Sequence, residues 1–157
     1  MLLPATIRLV VIFRDARRDD VPAIVALLAD DMLGAGREAG RPDDAYWAAF
    51  EQIAADPRSR LVVAEADGQV AGTLQLTLLP GMSRHGMLRA QIEAVRVAEP
   101  RRGQGLGRAM IEWAVGQARE HGCGLMQLTS DKRRPAAVRF YESLGFTASH
   151  EGLKLPL

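Results

Sequence analysis

The sequence predicts an α/β fold, with helices packed on both faces of a mixed sheet. Apolar, β-branched runs alternate along the chain with segments whose apolar residues recur every three or four positions, which is typical of strands and amphipathic helices. Asp67-Gly68 lies between two strand-like runs and favours a two-residue hairpin turn. Between residues 88 and 129 the pattern is strand, helix, strand, which predicts a parallel crossover. The sheet should therefore contain both antiparallel and parallel pairs.

The composition is that of a globular chain without a strong overall charge. Its 157 residues are 48% hydrophobic, which suits one domain over residues 1–157. The formal net charge is +1, so no global field attracts nucleic acid or a membrane surface. The lone Cys123 has no partner for an internal disulfide, which favours a reducing, cytoplasmic compartment. We expect one cytoplasmic domain that binds neither nucleic acid nor membrane; the oligomeric state is open, and a homodimer is one outcome.

The first half of the chain predicts a strand, two helices and a hairpin. Asp19 and Asp20 offer an N-cap for the first helix, which tolerates Pro22 in its first turn. Asp56-Pro57 ends the second helix, because the residue before a proline avoids helical dihedral angles. In chain order the predicted elements are a strand over 7–14, a helix after residue 20, a helix over 43–55, and hairpin strands over 61–66 and 69–79.

The second half predicts strands that alternate with helices. Met110 and Trp113 lie on one side of an amphipathic helix and Glu112 on the other. Pro135 suits the first turn of the last helix, and Gly145 suits the position just beyond its end. The predicted elements are a polar loop over 80–86, a strand over 88–98, a helix over 104–121, a strand over 125–129, a helix from 135, and a closing strand over 146–155.

The segment Arg101–Arg108 has the composition of an anion-binding loop. It sets three glycines and flanking arginines between a predicted strand and a predicted helix. Glycine lets the backbone approach a ligand closely, and the N-terminus of the helix adds free N–H groups and a positive dipole end. Leu106-Gly107-Arg108 stands where a P-loop would require Lys-Ser or Lys-Thr, so the loop predicts a different kind of phosphate ligand.

A second basic cluster follows the next predicted strand. Lys132, Arg133 and Arg134 come after the strand over 125–129. Because the carboxyl ends of parallel strands meet at one edge of a sheet, this cluster and the loop Arg101–Arg108 should converge there. Backbone N–H groups and guanidinium groups could then hold a polyphosphate together. The alternative is that both clusters are ordinary solvated charge runs.

Two segments resemble the signatures of a known enzyme family. Arg102-x-x-Gly105-x-Gly107, after a strand over 91–97, resembles the acetyl-coenzyme A motif of the GNAT N-acetyltransferase superfamily, and residues 137–146 resemble its second signature. The motifs come in the family's order and spacing, and the resemblance spans about residues 14–152. It implies a mostly antiparallel mixed sheet with one splayed parallel strand pair, and acetyl-coenzyme A as co-substrate without a metal.

The resemblance also implies roles for individual residues. The backbone of Val95, Arg96 and Val97 would pair with the pantetheine arm, and Tyr141 would be the general acid that protonates the leaving thiolate. Arg134 stands where the family often has asparagine, so a contact with a coenzyme phosphate would replace the usual contact with the pantetheine arm. Arg102 takes the motif's opening polar position, and the pyrophosphate would rest on the backbone N–H groups of Gly103, Gln104, Gly105, Leu106, Gly107 and Arg108.

Acetyl transfer from a thioester to an amine needs a base for the amine and a proton source for the thiolate. Glu93 is the candidate base, because a carboxylate between Ile92 and Ala94 would lose solvation, which raises its pKa. The alternative is an exposed strand glutamate. Tyr141 has a matching alternative, that of a core aromatic on its helix. No residue spacing in the sequence is that of a metal site.

The sequence leaves the acceptor open between two kinds of amine. Residues 30–56 hold seven acids and two bases, a local net charge of −5, which favours a cationic amine such as a polyamine. The same acids could instead form a solvated helical face. Arg84, His85 and Arg89 indicate the opposite preference, for an acceptor that carries a carboxylate.

These observations predict an N-acetyltransferase that moves an acetyl group from acetyl-coenzyme A to a primary amine of a small molecule, by direct transfer in a ternary complex. A non-catalytic acyl-coenzyme A binding or sensing module would need the same phosphate-binding loop. An acetyltransferase acting on RNA or on a protein is a third reading, which the near-neutral charge does not favour.

Overall fold

The computed structural model describes residues 10–157, which form a five-stranded sheet and the helices around it. The strands are β1 (Val11–Asp15), β2 (Ser59–Ala66), β3 (Gln69–Leu79), β4 (Arg89–Val97) and β5 (Leu125–Gln127). The helices are α1 (Val21–Ala29), α2 (Asp44–Ala55), the single turn α3 (Ser83–Gly86), α4 (Leu106–Glu120) and α5 (Pro135–Glu142). Short 3-10 turns lie at Arg18–Asp20, Gly34–Gly36 and Glu99–Arg101.

The sheet is mixed and mostly antiparallel, as predicted. Its strands lie in chain order, and β1 to β4 pair antiparallel. β5 runs parallel to β4 and pairs with it only over Arg89–Gln91. Because β4 continues to Val97 after this pairing ends, the two parallel strands splay apart. The predicted fold class is confirmed, including the splayed strand pair.

Local chemistry accounts for several predicted boundaries. Asp67 and Gly68 have φ angles of 52° and 73°, the positive values that a two-residue hairpin turn requires. The Asp43 carboxylate accepts hydrogen bonds from the N–H groups of Ala45 and Tyr46, which caps the start of α2. Gly145 has a φ angle of 94°, the left-handed conformation that ends α5.

The main core lies between the sheet and α4. Leu74 and Ile92 from the sheet, and Met110 and Ile111 from α4, are each at most 1% exposed. A Cβ atom at Gly72 would lie 2.7 Å from the Met110 sulfur, so glycine is what lets α4 approach β3 this closely. α1 contacts β3 and β4 as well, with buried aliphatic side chains of its own that form no part of this cluster. Helices therefore cover both faces of the sheet.

The structure differs from the predicted elements at the ends of the chain and in one loop. The first predicted strand begins at residues 7–9, which lie outside the described residues, and β1 continues to Asp15. The predicted loop over 80–86 contains the single turn α3, in which Arg84 and His85 have positive φ angles. In the part of the chain that the structure describes, no helix is both long and apolar enough to cross a membrane.

The closing strand predicted over residues 146–155 is wrong. Residues 147–157 form neither helix nor strand, although Leu153, Leu155 and Leu157 alternate as strand residues do, and these three leucines are exposed. A strand needs a neighbour with which to exchange backbone hydrogen bonds. Within residues 10–157 the sheet ends at β5, whose three residues offer little backbone to pair with.

Candidate active site

A β-bulge in β4 decides which side chains line the opening between the splayed strands. The register of β3 and β4 shifts between Thr73 and Gln75, so two residues of β4 stand opposite one residue of β3. Ala94, inside the bulge, has a φ angle of 51°. Ile92 and Val95 therefore both face the α4 side of the sheet. By the alternation of side chains along a strand, Glu93 and Arg96 share the opposite face.

The glycine loop supplies free backbone donors at the end of β4. Gly103 and Gly105 have φ angles of 72° and 85°, which only glycine adopts readily. The first intrahelical bond of α4 joins the Ala109 N–H to the Gly105 carbonyl at 3.1 Å. The N–H groups of residues 105–108 consequently have no partner within the helix. A Cβ atom at Gly103 or Gly105 would meet open space, so the loop leaves room for a phosphate group against its backbone.

The arginine side chains of this loop bind groups of the chain itself. Arg102 donates from Nε to the Val97 carbonyl and from Nη2 to the Asp30 carboxylate, both at 3.0 Å. Arg101 Nη2 lies 2.7 Å from the Asp67 carboxylate. Arg102 therefore ties the loop to β4 and to the end of α1, while the backbone N–H groups at the start of α4 stay free.

The remaining loop side chains either contact neighbouring groups of the chain or lie in the core. Gln104 donates to the Pro100 carbonyl at 2.8 Å, and Arg108 pairs with Glu112 one helical turn later at 3.6 Å. Leu106 is 6% exposed and packs in the core. In these three residues, the groups suited to bind a phosphate are the backbone N–H groups, because they lie at the N-terminus of α4.

The backbone of β4 is uncovered where β5 leaves it. Val95 and Val97 are partly buried against the core, and their carbonyl groups each accept one bond from a guanidinium group, those of Arg96 and Arg102 at 3.0 Å. A carbonyl oxygen has two lone pairs, so each can accept a second hydrogen bond. The residues present thus fit an extended ligand such as a pantetheine arm in the opening between β4 and β5.

Tyr141 lies on α5 near the same opening. Its ring makes edge contacts with Phe140 and Phe146, at centroid separations of 5.1 and 5.7 Å. Burial raises the pKa of Tyr141, and the positive charges of Arg134 and Arg96 oppose this rise in part. The phenol therefore stays protonated at neutral pH, as a proton donor must. Its packing is equally that of a core aromatic, and its catalytic role stays a prediction.

Arg96 and Arg134 meet at one carboxylate, that of Asp31. Arg96 Nε lies 2.9 Å and Arg134 Nη1 3.8 Å from Asp31 Oδ2. Burial opposes ionisation of Asp31, but the Gly34 N–H and the charges of the two arginines together lower its pKa. Burial also lowers the pKa of Arg96, although the charge of Asp31 opposes that effect. Arg134 thus lies beside the face of β4 that carries Arg96, and its predicted contact with a coenzyme phosphate stays a prediction.

The burial expected of Glu93 is not found. Glu93 is exposed, because alternation puts Ile92 in the core and Glu93 on the opposite face, where β4 has already separated from β5. The premise that an apolar strand desolvates this carboxylate is therefore wrong. Its assignment as the base stays a prediction that rests on its place beside the opening.

Most acids of the stretch over residues 30–56 already have partners, which the charge count did not anticipate. Asp43 caps α2, and the Glu38 carboxylate accepts a hydrogen bond from the Tyr46 hydroxyl at 2.6 Å. The ion pairs are Asp30–Arg102, Asp31–Arg96, Glu38–Arg37, Glu51–Arg18 and Asp56–Arg58. The stretch is therefore not a free acidic surface for a polyamine.

Sequence reasoning missed the residues that orient the candidate site. Asp30 holds Arg102, and Asp31 holds Arg96 and Arg134. The sequence pattern alone assigns both acids to the acidic stretch that favours a cationic acceptor. Their only signal in the sequence is the acidic count itself. Within residues 10–157, no group of three or more His, Cys, Asp or Glu side chains is arranged to hold a metal ion.

Comparison with known proteins identifies the family. The model of the acetyltransferase (GNAT) family matches residues 21–146. Aminoalkylphosphonate N-acetyltransferase of Salmonella typhimurium is 32% identical over 95 residues, which are 60% of this chain and 61% of that protein. Glucosamine 6-phosphate N-acetyltransferase of Trypanosoma brucei brucei is 34% identical over 90 residues, 57% of this chain and 59% of that protein.

Among solved structures, a transcriptional regulator from Bacillus halodurans C-125 is 45% identical and superimposes with a TM-score of 0.91, covering 94% of this chain and 100% of that chain. The chain spans about three-fifths of the length of the two curated relatives. The family match runs from α1 to Phe146, so it includes the glycine loop, the splayed strands and Tyr141. By this match and by its fold, the chain belongs to the acetyltransferase (GNAT) family.

Proposed function

We propose that the chain transfers an acetyl group from acetyl-coenzyme A to a primary amine of a small molecule, by direct transfer in a ternary complex. The observation that carries the proposal is the opening between β4 and β5, together with the backbone N–H groups at the start of α4 that have no partner within the helix. Family membership supports the co-substrate. The two curated relatives are named for small-molecule amines, which supports the class of acceptor.

The coenzyme would be held mainly by backbone. The N–H groups of residues 103–108 bind the pyrophosphate, assisted by the positive end of the α4 dipole. The uncovered backbone of residues 95–97 pairs with the pantetheine arm as an added strand would. Arg102 positions the loop through Val97 and Asp30.

The chemistry needs three proton movements: two protons leave the nitrogen and one reaches the sulfur. Bound acetyl-coenzyme A supplies an activated acetyl thioester. Glu93 accepts a proton from the acceptor's ammonium, directly or through water, so that the free amine can form the amide bond as the carbon–sulfur bond breaks. Tyr141 donates its proton to the leaving sulfur, and the charges of Arg134 and Arg96 ease the formation of its phenolate. The phenolate then takes the second proton, which the nitrogen loses as it becomes an amide, so that Tyr141 ends protonated.

Cys123 is a partly buried free cysteine. Burial raises the pKa of this thiol, so it stays protonated and is a poor nucleophile. We propose a reducing, cytoplasmic location, in which both this thiol and the coenzyme thiol stay reduced.

One comparison favours a second candidate function. The Bacillus halodurans relative is described as a transcriptional regulator. An acyl-coenzyme A sensing module would use the same loop and the same opening without turnover. Turnover therefore separates the two candidates.

The test is release of coenzyme A thiol from acetyl-coenzyme A in the presence of a panel of small primary amines, followed with a thiol reagent. Thiol release that depends on an amine supports the enzyme. A rise in melting temperature with coenzyme A, but no amine-dependent release, supports the sensing module.

Tyr141→Phe keeps the packing and removes the proton donor. We expect kcat to fall roughly ten- to a thousandfold while coenzyme A affinity stays similar. Tyr46→Phe is the matched control, because it removes the same oxygen from a hydrogen bond with Glu38 at the edge of α2. An unchanged kcat in Tyr141→Phe would mean that Tyr141 is a core aromatic and not the proton donor.

A further inference from the structure

The face of β4 that carries Glu93 also carries two arginine side chains that share one partner. Arg96 and Arg134, called the arginine pair below, share the single carboxylate of Asp31. The carboxylate of Glu38, the next acidic residue in the sequence, pairs with Arg37 at 2.9 Å and accepts a hydrogen bond from Tyr46. Arg96, Arg134 and Asp31 together carry a net charge of +1, and Glu93, on the same face, is left to meet the amine of the acceptor.

The Arg96 guanidinium is mostly out of water and poorly hydrogen-bonded. The Arg96 side chain is 10% exposed, and Asp31 is 14% exposed. Although Arg96 Nε and Asp31 Oδ2 lie 2.9 Å apart, they are not aligned for a hydrogen bond, and neither atom has a hydrogen-bond partner within residues 10–157. A buried cation with an unused donor is costly unless an anion completes it. The Arg134 side chain is 37% exposed, so the pair is open to solvent on that side.

The arginine pair lies close to the reacting groups. The β4 bulge puts Arg96 on the same face as Glu93, three residues earlier in the strand. Three extended residues span at most about 10 Å. The charges of Arg134 and Arg96 both act on Tyr141. The Cα atoms of Glu93 and Arg96 are therefore at most about 10 Å apart, so that one small acceptor can reach both side chains.

We propose that Arg96 and Arg134 bind an anionic group of the acceptor, and that the acceptor is a small primary amine carrying a phosphonate, phosphate or carboxylate a few bonds from its nitrogen. This inference rests on the proposed function. Guanidinium groups match the geometry of such oxyanions and form charge-assisted hydrogen bonds with them. A diamine would instead bring a second cation against the arginine pair.

Matched acceptors test the inference directly. Rates of thiol release are compared for 3-aminopropylphosphonate, 4-aminobutanoate, butylamine and 1,4-diaminobutane. We expect kcat/KM to be roughly tenfold or more higher for the two anionic amines than for butylamine, with the diamine lowest. The order of the phosphonate and the carboxylate identifies which oxyanion the pair prefers. Equal rates for anionic and neutral amines, or a preference for the diamine, would overturn the inference.

Substitution at Arg134 tests the residues. Arg134→Gln should raise the KM of the preferred anionic amine about tenfold and lower its advantage over butylamine, and Arg134→Lys should recover part of the loss. Arg119→Gln, which removes an exposed arginine from the last turn of α4, is the control and should change neither value. If Arg134→Gln raises the KM of acetyl-coenzyme A alone, Arg134 contacts the coenzyme and the inference is wrong.

Calorimetry separates failure of this inference from failure of the proposed function. Binding of 3-aminopropylphosphonate and of butylamine to the chain saturated with coenzyme A is measured without turnover. Selective binding of the phosphonate, lost in Arg134→Gln, supports the arginine pair even if no acetyl transfer is found. Thiol release with neutral amines, but no selective binding of the phosphonate, supports the acetyltransferase function and contradicts the proposed role of the arginine pair.

Discussion

At the scale of the residue, several side chains act by holding other residues rather than by meeting a ligand. Arg102 is the clearest case, because it bonds at once to the end of β4 and to the end of α1. The motif position that it occupies therefore shapes the loop. The groups left free to bind are the backbone N–H groups that this shape presents.

Glu93 permits a test that does not depend on its burial. Glu93→Gln preserves the shape and removes the base, so kcat/KM near neutral pH should fall about a hundredfold. The deficit should shrink as pH rises, because an acceptor amine that deprotonates by itself no longer needs the carboxylate. The measurement is the pH profile of thiol release for the wild type and the variant.

Glu120→Gln is the control for this profile, since Glu120 is an exposed glutamate at the end of α4. Profiles of Glu93→Gln and wild type that coincide at every pH would remove Glu93 from the mechanism. The acceptor would then have to reach the site as the neutral amine.

At the scale of the element, the start of α4 combines a structural and a binding requirement. Gly105 is the N-cap in the left-handed conformation, and it precedes the N–H groups that the helix leaves free. Gly116 lies in the interior of the same helix, and a Cβ atom there would meet open space. Alanine at Gly105 therefore adds backbone strain as well as a methyl group, whereas alanine at Gly116 adds only the methyl group.

Gly105→Ala should destabilise the chain by about 1 kcal/mol, because a residue with Cβ is strained at this φ angle, and it should weaken coenzyme A binding. Gly116→Ala should instead stabilise by about 0.5–1 kcal/mol and leave binding unchanged, because alanine favours a helix interior. Urea unfolding and the thermal shift with coenzyme A measure both effects. Equal stability changes in the two variants would mean that the turn before α4 carries no conformational requirement.

At the scale of the whole molecule, one ion-pair network joins the first strand to its neighbours. Arg14 on β1 donates two hydrogen bonds to Asp20, at 2.7 and 3.0 Å, and one to Glu65 on β2 at 2.8 Å. The hydrogen bond from Arg14 is the main reason why the pKa of Asp20 lies below its ordinary value. The pKa of Glu38 is lowered likewise, chiefly by the hydrogen bond from Tyr46.

The acid dependence of stability follows from the sign of these shifts. A carboxyl whose pKa is lower in the folded than in the unfolded chain contributes stability above the unfolded pKa, and this contribution is lost as pH falls through the folded pKa. The unfolded values are about 4, so the free energy of unfolding should fall steadily below about pH 4. If residues 1–157 form one domain, the chain should still unfold in a single transition by calorimetry.

Asp20→Asn should destabilise the chain by about 3 kcal/mol at neutral pH, because it leaves Arg14 without its main partner, and it should flatten the acid dependence. Asp19→Asn, at the exposed neighbouring position, is the control and should change little. Two separate transitions, or an acid dependence that Asp20→Asn leaves intact, would contradict this account.

The sequence by itself determined the order and type of most elements, because their signals are local. Helical and strand periodicity and the hairpin turn at Asp67-Gly68 depend on neighbouring residues only. The glycine loop and the segment around Tyr141 are also contiguous motifs, which is why the family could be identified from them. The closing strand failed for the opposite reason, since its alternating leucines are a local signal but a strand also needs a partner.

The tertiary structure decided which charges meet and which side chains share a face. Arg102 and Asp30 are separated by 72 residues, and any of the 19 acids of the chain was an equal candidate partner in the sequence. The bulge at Ala94 turned Arg96 to the face of Glu93 and towards Asp31, which strict alternation would not predict. Ion pairs act over a few ångströms, so only the close packing of α1, β4 and α5 selects among these combinations.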